Sequence, residues 1–306
     1  MSKLLKKGYL KTGEPMAKHT TFRTGGPAAV YAVPFDAEEA AALIRYLNRN
    51  ALPYTVTGNG SNLLVSDKGY NGVIVHMGRV DGTDFVMLGY EEAEGGIMFD
   101  AGCGCMMSVL ASIAQKLGCT GLEALSGIPG CIGGAVSMNA GAYGTEIKDI
   151  VTGVEVILKN GEQKTLDAGE LRFGYRTSSI QEEEMTVSRV QYYLPYGDPE
   201  TIAASMQNYA ERRKEKQPLE VPSAGSTFKR PEGYFAGKLI ENCGLKGYRI
   251  GGACVSEKHA GFLVNDRNGT SADIHALIRH VQRCVKEKFD VDLETEVKML
   301  GEFDHE

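Results

Sequence analysis

Residues 126–144 read SGIPGCIGGAVSMNAGAYG, and this stretch decides the fold more than any other part of the chain. It contains six glycines, with small or apolar residues between most of them. Because glycine loses more backbone freedom on folding than any other residue, a chain accepts so many only where its backbone must approach a partner closely. We therefore interpret the stretch as a long functional loop whose main-chain N–H groups cradle a large, phosphate-bearing ligand.

A shorter segment of the same character, residues 58–62 (GNGSN), directly follows a predicted strand over 53–57. Its two glycines allow a close backbone approach, and Asn59, Ser61 and Asn62 add short polar side chains. Taken alone, this segment is equally typical of an ordinary turn between two strands. Neither segment carries the GxGxxG fingerprint of dinucleotide-binding folds or the Gly-Lys-Ser/Thr ending of a P-loop, so a different kind of nucleotide cradle is indicated.

The composition is that of a globular protein rather than of a membrane or nucleic-acid-binding protein. The 306 residues, 42% hydrophobic and 24% charged, suit two or three domains. A net charge of −6 gives no electrostatic reason to expect nucleic acid or an anionic membrane as a partner. No apolar stretch approaches the roughly 18 residues that span a bilayer, and the N-terminus lacks the apolar region of a secretory signal. We therefore expect a cytoplasmic protein.

The cysteines and histidines do not indicate a metal site. The seven cysteines are an odd number, and the spacing of Cys103 and Cys105 is not one that zinc sites favour. The six histidines are scattered without metal-ligand spacing. In a reducing compartment such cysteines are small, unpaired core residues, so we expect no bound metal.

Periodicity and capping signals predict a mixed α+β chain. Helices are predicted after the N-cap residue Asp36, where Glu39 can reach back, and over 109–117, 199–216 and 272–289. Strands are predicted over 53–57, 73–76, 85–90, 97–101, 151–158, 187–194, 251–256, 261–265 and 293–300. The dipeptide Asn160-Gly161 predicts a hairpin turn. The change in character after Pro195 indicates a separate C-terminal unit.

Four further motifs and the two glycine-rich segments occur in the order of a known family. The motifs are HTTFRTGG (19–26), FGYRTS (173–178), SAGSTFK (223–229) and LETEV (293–297). The whole set resembles the UDP-N-acetylenolpyruvoylglucosamine reductases, whose flavin domain is of the vanillyl-alcohol oxidase and p-cresol methylhydroxylase (VAO/PCMH) type. The resemblance implies an α+β fold with a two-part FAD-binding domain, residues 1–84 and 85–196. A C-terminal α+β substrate-binding domain, residues 197–306, would follow.

The resemblance also implies the reaction. The family reduces UDP-N-acetylglucosamine enolpyruvate to UDP-N-acetylmuramate in peptidoglycan precursor synthesis, with bound FAD and with NADPH as the hydride donor. Residues 58–62 contain no histidine that could carry a covalent flavin link, so the FAD is expected to be non-covalent. The expected cofactor-binding residues are Arg23, Gly58, Asn59, Gly60, Ser61, Asn62, Gly127, Pro129, Gly130, Gly133, Gly134, Ala135, Asn139 and Gly141.

Three positions match the catalytic residues of the family. Arg176 would bind the substrate carboxylate through its planar fork of donors, which stays charged at every working pH. Glu296 would share a proton or hydrogen bond with that group, and Ser226 would protonate the α-carbon. The expected substrate-binding residues are Tyr143, Lys216 and Arg230. Each side chain taken alone is more typical of an exposed structural residue, so the assignment depends on the whole set.

The sequence departs from one branch of the family. Lys298 stands where that branch has arginine, and Arg230 stands where it has asparagine. The stretch between Arg176 and Lys216 is too short for the inserted lid loop of that branch. The chain therefore resembles the shorter, second type.

Two alternatives stay open at the level of sequence. An oxidase of hydroxy acids or sugars on the same fold would bind FAD but would need neither Ser226 nor Glu296. A catalytically silent module would bind flavin or a nucleotide sugar without turnover, although it would have no need to keep Arg176 together with the other two. The sequence does not indicate the oligomeric state.

Overall fold

The structure, a computed structural model, describes residues 1–303, so the last three residues of the expected 197–306 domain lie outside the described residues. The chain divides into two units, each assembled from separate segments. Unit 1 consists of residues 1–11, 30–59 and 72–211, and unit 2 of residues 12–29, 60–71 and those from 212 onward. Neither unit is a continuous stretch of chain, and the three-part division stays a prediction.

Within the described residues, the helices are α1 (Ala37–Arg49), α2 (Met107–Lys116), α3 (Ile132–Ser137), α4 (Ser179–Glu182), α5 (Pro199–Lys216), α6 (Ala236–Asn242) and α7 (Ser271–Phe289). The strands are β1 (Tyr9–Pro15), β2 (Pro27–Val33), β3 (Tyr54–Thr57), β4 (Leu63–Val65), β5 (Tyr70–His76), β6 (Leu88–Ala93), β7 (Gly96–Gly102), β8 (Gly141–Ala142), β9 (Thr145–Glu146), β10 (Val151–Ile157), β11 (Gln163–Asp167), β12 (Thr186–Pro195), β13 (Ser223–Ser226), β14 (Arg249–Ile250), β15 (Ala253–Val255), β16 (Phe262–Asn265) and β17 (Lys298–Leu300). This mixture confirms the α+β class. No described helix combines the length and the apolar character needed to cross a bilayer.

A five-stranded antiparallel sheet in the order β11-β10-β12-β7-β6 forms the centre of unit 1. Val190 on β12 is paired with Val154 on β10 and with Ala101 on β7, and all three side chains are fully buried. Residues that are paired directly across neighbouring strands point to the same face of the sheet. These three side chains therefore lie together on the face that packs against the core. The predicted hairpin is confirmed, since β10 and β11 pair across the turn and Gly161 has a φ of +80°.

Helix α1 begins as its sequence predicts. Asp36 Oδ1 accepts the N–H of Glu39 at 2.9 Å and so caps the helix. The Glu39 carboxylate reaches back to the N–H of Phe35 and also accepts the N–H groups of Lys7 and Gly8. One buried carboxylate therefore attaches the N-terminal segment to the start of α1 within unit 1.

Unit 2 is built on a four-stranded sheet in the order β13-β16-β15-β14, against which α7 packs. Thr270 and Asp273 form a capping box at the start of α7. Asp67 also accepts the N–H groups of Ser271 and Ala272, at 2.9 and 2.8 Å. The buried face of α7 contributes Ile274, Leu277, Ile278, Val281 and Val285 to the core of unit 2.

Three strand predictions are wrong at their ends. The strand predicted over 85–90 begins only at Leu88, because Phe85 lies in a 3-10 helix, is buried, and accepts the N–H of Gly104 through its carbonyl. The strand predicted over 251–256 is reduced to β15, since Gly251 has a φ of +53°. The strand predicted over 293–300 is reduced to β17, because the preceding backbone bonds irregularly to residues 227–229.

Candidate functional site

Residues 58 and 59 of the shorter glycine-rich segment meet the longer segment in unit 1, as a cradle shared by the two segments requires. Asn59 Nδ2 donates to the carbonyl of Pro129 at 3.0 Å. A Cβ at Gly58 would lie 3.3 Å from the Cβ of Cys131, so the two backbones are in close contact. The longer segment is not the long loop that its glycine content predicts, because it contains helix α3, strand β8 and the turn that leads to β9.

The two glycines of α3 have different reasons to be glycine. A Cβ at Gly133 would lie 2.8 Å from the Cβ of Cys103, so close packing excludes a side chain at this position. Gly134 is exposed, and apart from its chain neighbours and the backbone of its own helix, no atom lies within 4 Å of the position of its missing Cβ. Nothing in its surroundings requires glycine, which fits a position that a large ligand approaches from solvent. The open space beside Gly134 lies where we expect, from the sequence, the cofactor to approach.

Three buried thiols lie close to this cradle, those of Cys103, Cys105 and Cys131. Burial raises the pKa of all three, and it raises the pKa of Cys105 to about 11. The thiols are consequently neutral at physiological pH and place no negative charge beside the glycine-rich segments. All seven cysteines are free, and the described residues contain no cluster of side chains suited to a metal ion.

Part of the expected cofactor site belongs to unit 2. The Thr21 N–H donates to the carbonyl of Gly60 at 3.2 Å, which places the 19–26 motif beside the second half of the shorter glycine-rich segment. Arg23 is exposed and has a φ of +58°. Asn62 Nδ2 donates to the carbonyl of Glu296 at 3.0 Å, so an expected cofactor residue contacts an expected catalytic residue.

The other expected cofactor residues differ in exposure. Gly127 and Pro129 are exposed, and Gly130 and Ser61 are half-buried. Ala135 is buried in α3, where its side chain belongs to the core of unit 1. A contact between Ala135 and a ligand therefore requires its backbone rather than its side chain.

Arg176 lies in a tight turn of unit 1. The N–H of Gly174 donates to the carbonyl of Thr177 at 3.0 Å and closes residues 174–177. Arg176 itself has a φ of +57°, which is uncommon for a residue other than glycine. Its Nη2 donates to the carbonyl of Gly141 at 3.4 Å. The structure thus places the guanidinium beside the end of the long glycine-rich stretch.

Tyr143 occupies the tip of the β8–β9 hairpin, also with a positive φ of +51°. Its ring is 38% exposed and stacks on Tyr209 of α5, with 4.7 Å between ring centroids. Stacking orients an aromatic side chain that is otherwise accessible to solvent. Positive φ values are shared by four expected site residues other than glycine, namely Arg23, Asn139, Tyr143 and Arg176. Such strain persists only where the surrounding structure holds it, and it is concentrated at functional sites.

Ser226 and Glu296 lie on neighbouring segments of unit 2. Ser226 is exposed at the end of β13, where the register with β16 shifts. The preceding residue, Gly225, has a φ of +75°, so the tight backbone expected there is present. The N–H of Glu296 donates to the carbonyl of Thr227 at 2.8 Å. The hydroxyl and the carboxylate are therefore carried by adjacent backbones.

The expected substrate-binding cations are both exposed. Lys216 ends α5, whose last turn is basic, and cations at this end of a helix are favoured by the helix dipole alone. The Arg230 guanidinium lies 4.2 Å from the centroid of the Phe235 ring, which is itself 63% exposed. This exposed cation–π pair was not predicted from the sequence.

Two side chains near Arg176 were also missed. Tyr175 is 52% exposed, and its ring centroid lies 5.3 Å from the Cζ of Arg176. Its position next to Arg176 in the FGYRTS motif was the sequence signal that could have indicated a role for Tyr175.

Glu146 on β9 forms an ion pair with Lys148 at 2.5 Å. This pair, against the opposing effect of burial, holds the pKa of Glu146 below its ordinary value, with smaller contributions from Asn139 and from the charge of Arg176. Only the hairpin brings Glu146 to the site, so the sequence gives no signal for it.

Known proteins resemble the whole chain. Residues 28–167 match the family described as "FAD binding domain", and residues 217–300 match "UDP-N-acetylenolpyruvoylglucosamine reductase, C-terminal domain". A UDP-N-acetylenolpyruvoylglucosamine reductase from Caldanaerobacter subterraneus subsp. tengcongensis is 48% identical over 99% of this chain and 97% of its own length. One from Staphylococcus epidermidis is 42% identical over 99% and 96%. The crystal structure of the Thermus caldophilus reductase matches with a TM-score of 0.79 at 33% identity, over 96% of this chain and 99% of its own.

Proposed function

The chain belongs to the UDP-N-acetylenolpyruvoylglucosamine reductase family, and from this membership we propose its substrate and mechanism. It is an FAD-dependent oxidoreductase of peptidoglycan precursor synthesis, with a flavin domain of the VAO/PCMH type. We propose that it reduces the enolpyruvyl double bond of UDP-N-acetylglucosamine enolpyruvate to give UDP-N-acetylmuramate, with NADPH as the hydride donor. The observation that carries this proposal is the match of the C-terminal part as well as the flavin domain, because an oxidase that shares only the flavin domain would lack it.

The cradle would hold FAD through main-chain groups of residues 58–62 and 127–135, together with Arg23 and Gly141. Bound FAD supplies the hydride, which originates from NADPH. The open position beside Gly134 and the close pairing of Asn59 with Pro129 support this placement. The lack of histidine in residues 58–62 supports non-covalent binding.

Arg176 would bind the carboxylate of the enolpyruvyl group. Its two-pronged guanidinium matches the geometry of a carboxylate and stays positive throughout the reaction. When the terminal carbon gains the hydride, negative charge develops on the carboxylate side of the substrate, and a fixed cation stabilises that charge. The rigid turn over residues 174–177 supports this role, because the cation must be held in place before the charge develops.

Ser226 would donate its hydroxyl proton to the α-carbon, while Glu296 shares a proton or hydrogen bond with the carboxylate. The hydride on the terminal carbon and the proton on the α-carbon together saturate the former double bond. A serine hydroxyl is a weak acid, so this transfer depends on its position. The left-handed backbone at Gly225 and the bond between the Glu296 and Thr227 backbones support that requirement.

Tyr143, Lys216 and Arg230 would contact the UDP-sugar. Lys216 suits the diphosphate because an ammonium group is a compact point charge. Both reactants are small molecules, and no nucleic acid is needed. The cytoplasmic location stays a prediction that goes with this choice of reactants.

Product analysis tests the proposed reaction. The purified chain is incubated with NADPH, with and without the enolpyruvyl sugar, and NADPH consumption and product mass are followed. We expect NADPH consumption that depends on the sugar and a product heavier by one hydride and one proton. No NADPH consumption, together with oxygen consumption when a hydroxy acid or a sugar is supplied as the electron donor, would favour the oxidase. Tight flavin binding without consumption would favour the silent module.

A further inference from the structure

Asn139 belongs to the long glycine-rich stretch, and its side chain is fully buried and bonded to the turn that carries Arg176, all within unit 1. Its Nδ2 donates to the carbonyl of Gly174 at 3.0 Å and to Oε2 of Glu146 at 3.1 Å. Its Oδ1 accepts the backbone N–H of Lys148 at 3.1 Å. These partners fix the orientation of the amide, because a carbonyl can only accept and a backbone N–H can only donate. Both amide N–H groups are used within the chain, so the side chain has no donor left for a cofactor.

The bond to Gly174 fixes the backbone that presents Arg176. Gly174 opens the turn over residues 174–177, two positions before the arginine. The positive φ of Arg176, +57°, persists only if neighbouring groups hold the turn. Asn139 has a positive φ itself, +43°, which asparagine tolerates better than most residues.

The same network reaches the charge of Arg176. Its Nη2 bonds to the carbonyl of Gly141, which is paired with Glu146 across the β8–β9 hairpin. The Glu146 carboxylate, oriented by Asn139 and Lys148, is near enough to Arg176 to interact with its positive charge. Asn139 is therefore bonded both to the turn beneath the guanidinium and to the carboxylate beside it.

We propose that Asn139 is a positioning residue that locks the turn over residues 174–177 to the β8–β9 hairpin and so aims the Arg176 guanidinium at the substrate carboxylate. This inference rests on the proposed function, since it assigns Arg176 the same role. It gives the Asn139 side chain a role within the chain, and cofactor binding by Asn139, expected from the resemblance, stays a prediction for its backbone. In consequence, loss of the Asn139 bonds impairs reduction of the enolpyruvyl sugar and leaves FAD binding intact.

The substitution Asn139→Asp tests this directly. Aspartate keeps the side-chain volume, the tolerance of positive φ and the oxygen that accepts the N–H of Lys148. Its second oxygen replaces the NH₂ group and so faces the Gly174 carbonyl and the Glu146 carboxylate, to which it cannot donate. The two half-reactions are measured separately from flavin absorbance under anaerobic conditions. We expect unchanged FAD affinity and unchanged reduction by NADPH, but reoxidation by the enolpyruvyl sugar slowed roughly 10–100-fold, the effect of a small displacement of a binding group. The matched control is Asn268→Asp, the same change at an exposed residue with a φ of +52°, and it leaves both half-reactions unchanged.

A double-mutant cycle separates positioning from a general structural effect. In an Arg176→Ala background, single-turnover reoxidation is compared with and without Asn139→Asp. If Asn139 acts through Arg176, the second substitution causes no further slowing. Slowing by the same factor in both backgrounds, or weakened FAD binding with normal reoxidation, would overturn the proposal.

A second variant covers the case in which Asn139→Asp does not fold. Glu146→Gln keeps an acceptor for Asn139 but removes the charge beside Arg176, and we expect slower reoxidation that again disappears in the Arg176→Ala background. Reoxidation at the wild-type rate in Glu146→Gln would overturn the proposal. Wild-type protein that is reduced by NADPH but not reoxidised by the enolpyruvyl sugar would contradict the proposed function instead, so the two failures are distinguishable.

Discussion

A serine hydroxyl is a poor acid at neutral pH, and Ser226 is proposed to donate a proton because of where its backbone holds it. Gly225 supplies a φ of +75° that a side chain would resist, and β13 ends there with a shift in register. The neighbouring backbone of Glu296 bonds to Thr227, one residue further on. At this scale the chemistry depends on backbone geometry more than on an altered pKa.

Replacing the hydroxyl tests this role. In Ser226→Ala we expect reduction by NADPH to be unchanged, because no proton from Ser226 is needed for it. Reoxidation by the enolpyruvyl sugar should slow by about 10²–10⁴-fold, the usual effect of losing a positioned proton donor. Stopped-flow flavin absorbance measures both steps, and Ser205→Ala on α5 serves as the control. Wild-type reoxidation in Ser226→Ala would remove Ser226 from the mechanism.

Among the secondary-structure elements, helix α3 contains two adjacent glycines. Close packing requires glycine at position 133 but not at position 134. Gly133→Ala should lower the thermal unfolding temperature of FAD-free protein, because its Cβ would lie 2.8 Å from that of Cys103. Gly134→Ala should leave that temperature unchanged or raise it, since alanine favours a helix by about 1 kcal/mol and nothing lies near its Cβ.

FAD titration completes this comparison. We expect Gly134→Ala to weaken FAD binding despite its stable apo form, because its methyl group would occupy the space that the cofactor approaches. Unaltered affinity in Gly134→Ala would contradict the placement of the cradle.

Glu39 attaches the N-terminal segment of the chain to the start of α1, and the stabilisation that this contact provides depends on pH. Burial opposes ionisation of this carboxylate, but the N–H groups of Lys7, Phe35 and Gly8 outweigh it, and the pKa lies below 4.5. Because the native pKa is depressed, the stabilisation is present above pH 4.5 and is lost as the pH falls through the lowered native value.

Isosteric removal of this charge measures the effect. Glu39→Gln should lower the free energy of unfolding by about 1–3 kcal/mol at pH 7. The substitution replaces one carboxylate oxygen by an NH₂ group, which cannot accept the backbone N–H groups that this oxygen accepts. Urea unfolding from pH 7 to pH 3 should show the difference from wild type shrinking below pH 4.5. Glu38→Gln, its exposed neighbour, is the control, and an equal loss in both variants would contradict this account.

At the scale of the whole molecule, the sequence predicted what local signals determine. The helices α5 and α7 and the turn at Asn160-Gly161 depend on nearby caps and turn residues, so their positions were predicted closely. The division into discontinuous units was not predicted, because it depends on pairs such as Asn62 with Glu296 and on the parallel pairing of β4 with β17. The hydrophobic periodicity of one segment does not indicate which distant segment of the chain it will pair with.

In the candidate site, too, the sequence indicated the residues of the motifs but not the contacts that they make in the folded chain. The order of motifs was enough to select Arg176, Ser226 and Glu296 as candidate catalytic residues, and their roles stay a prediction. The structure places the last two on adjacent backbones. Cofactor binding by Asn139 was expected from the resemblance alone and stays a prediction. Its side-chain bonds were not foreseen, because Gly174 is 35 residues away and Glu146 is brought to it by the β8–β9 hairpin.

Anaerobic flavin spectroscopy of the purified chain tests the central claim most directly. NADPH is added first and UDP-N-acetylglucosamine enolpyruvate second, while the visible absorbance of oxidised flavin is recorded. We predict a yellow protein whose absorbance is bleached by NADPH and recovers promptly when the enolpyruvyl sugar is added. Bleaching without recovery would contradict the reductase function, and a colourless protein that cannot take up FAD would contradict the cofactor site as well.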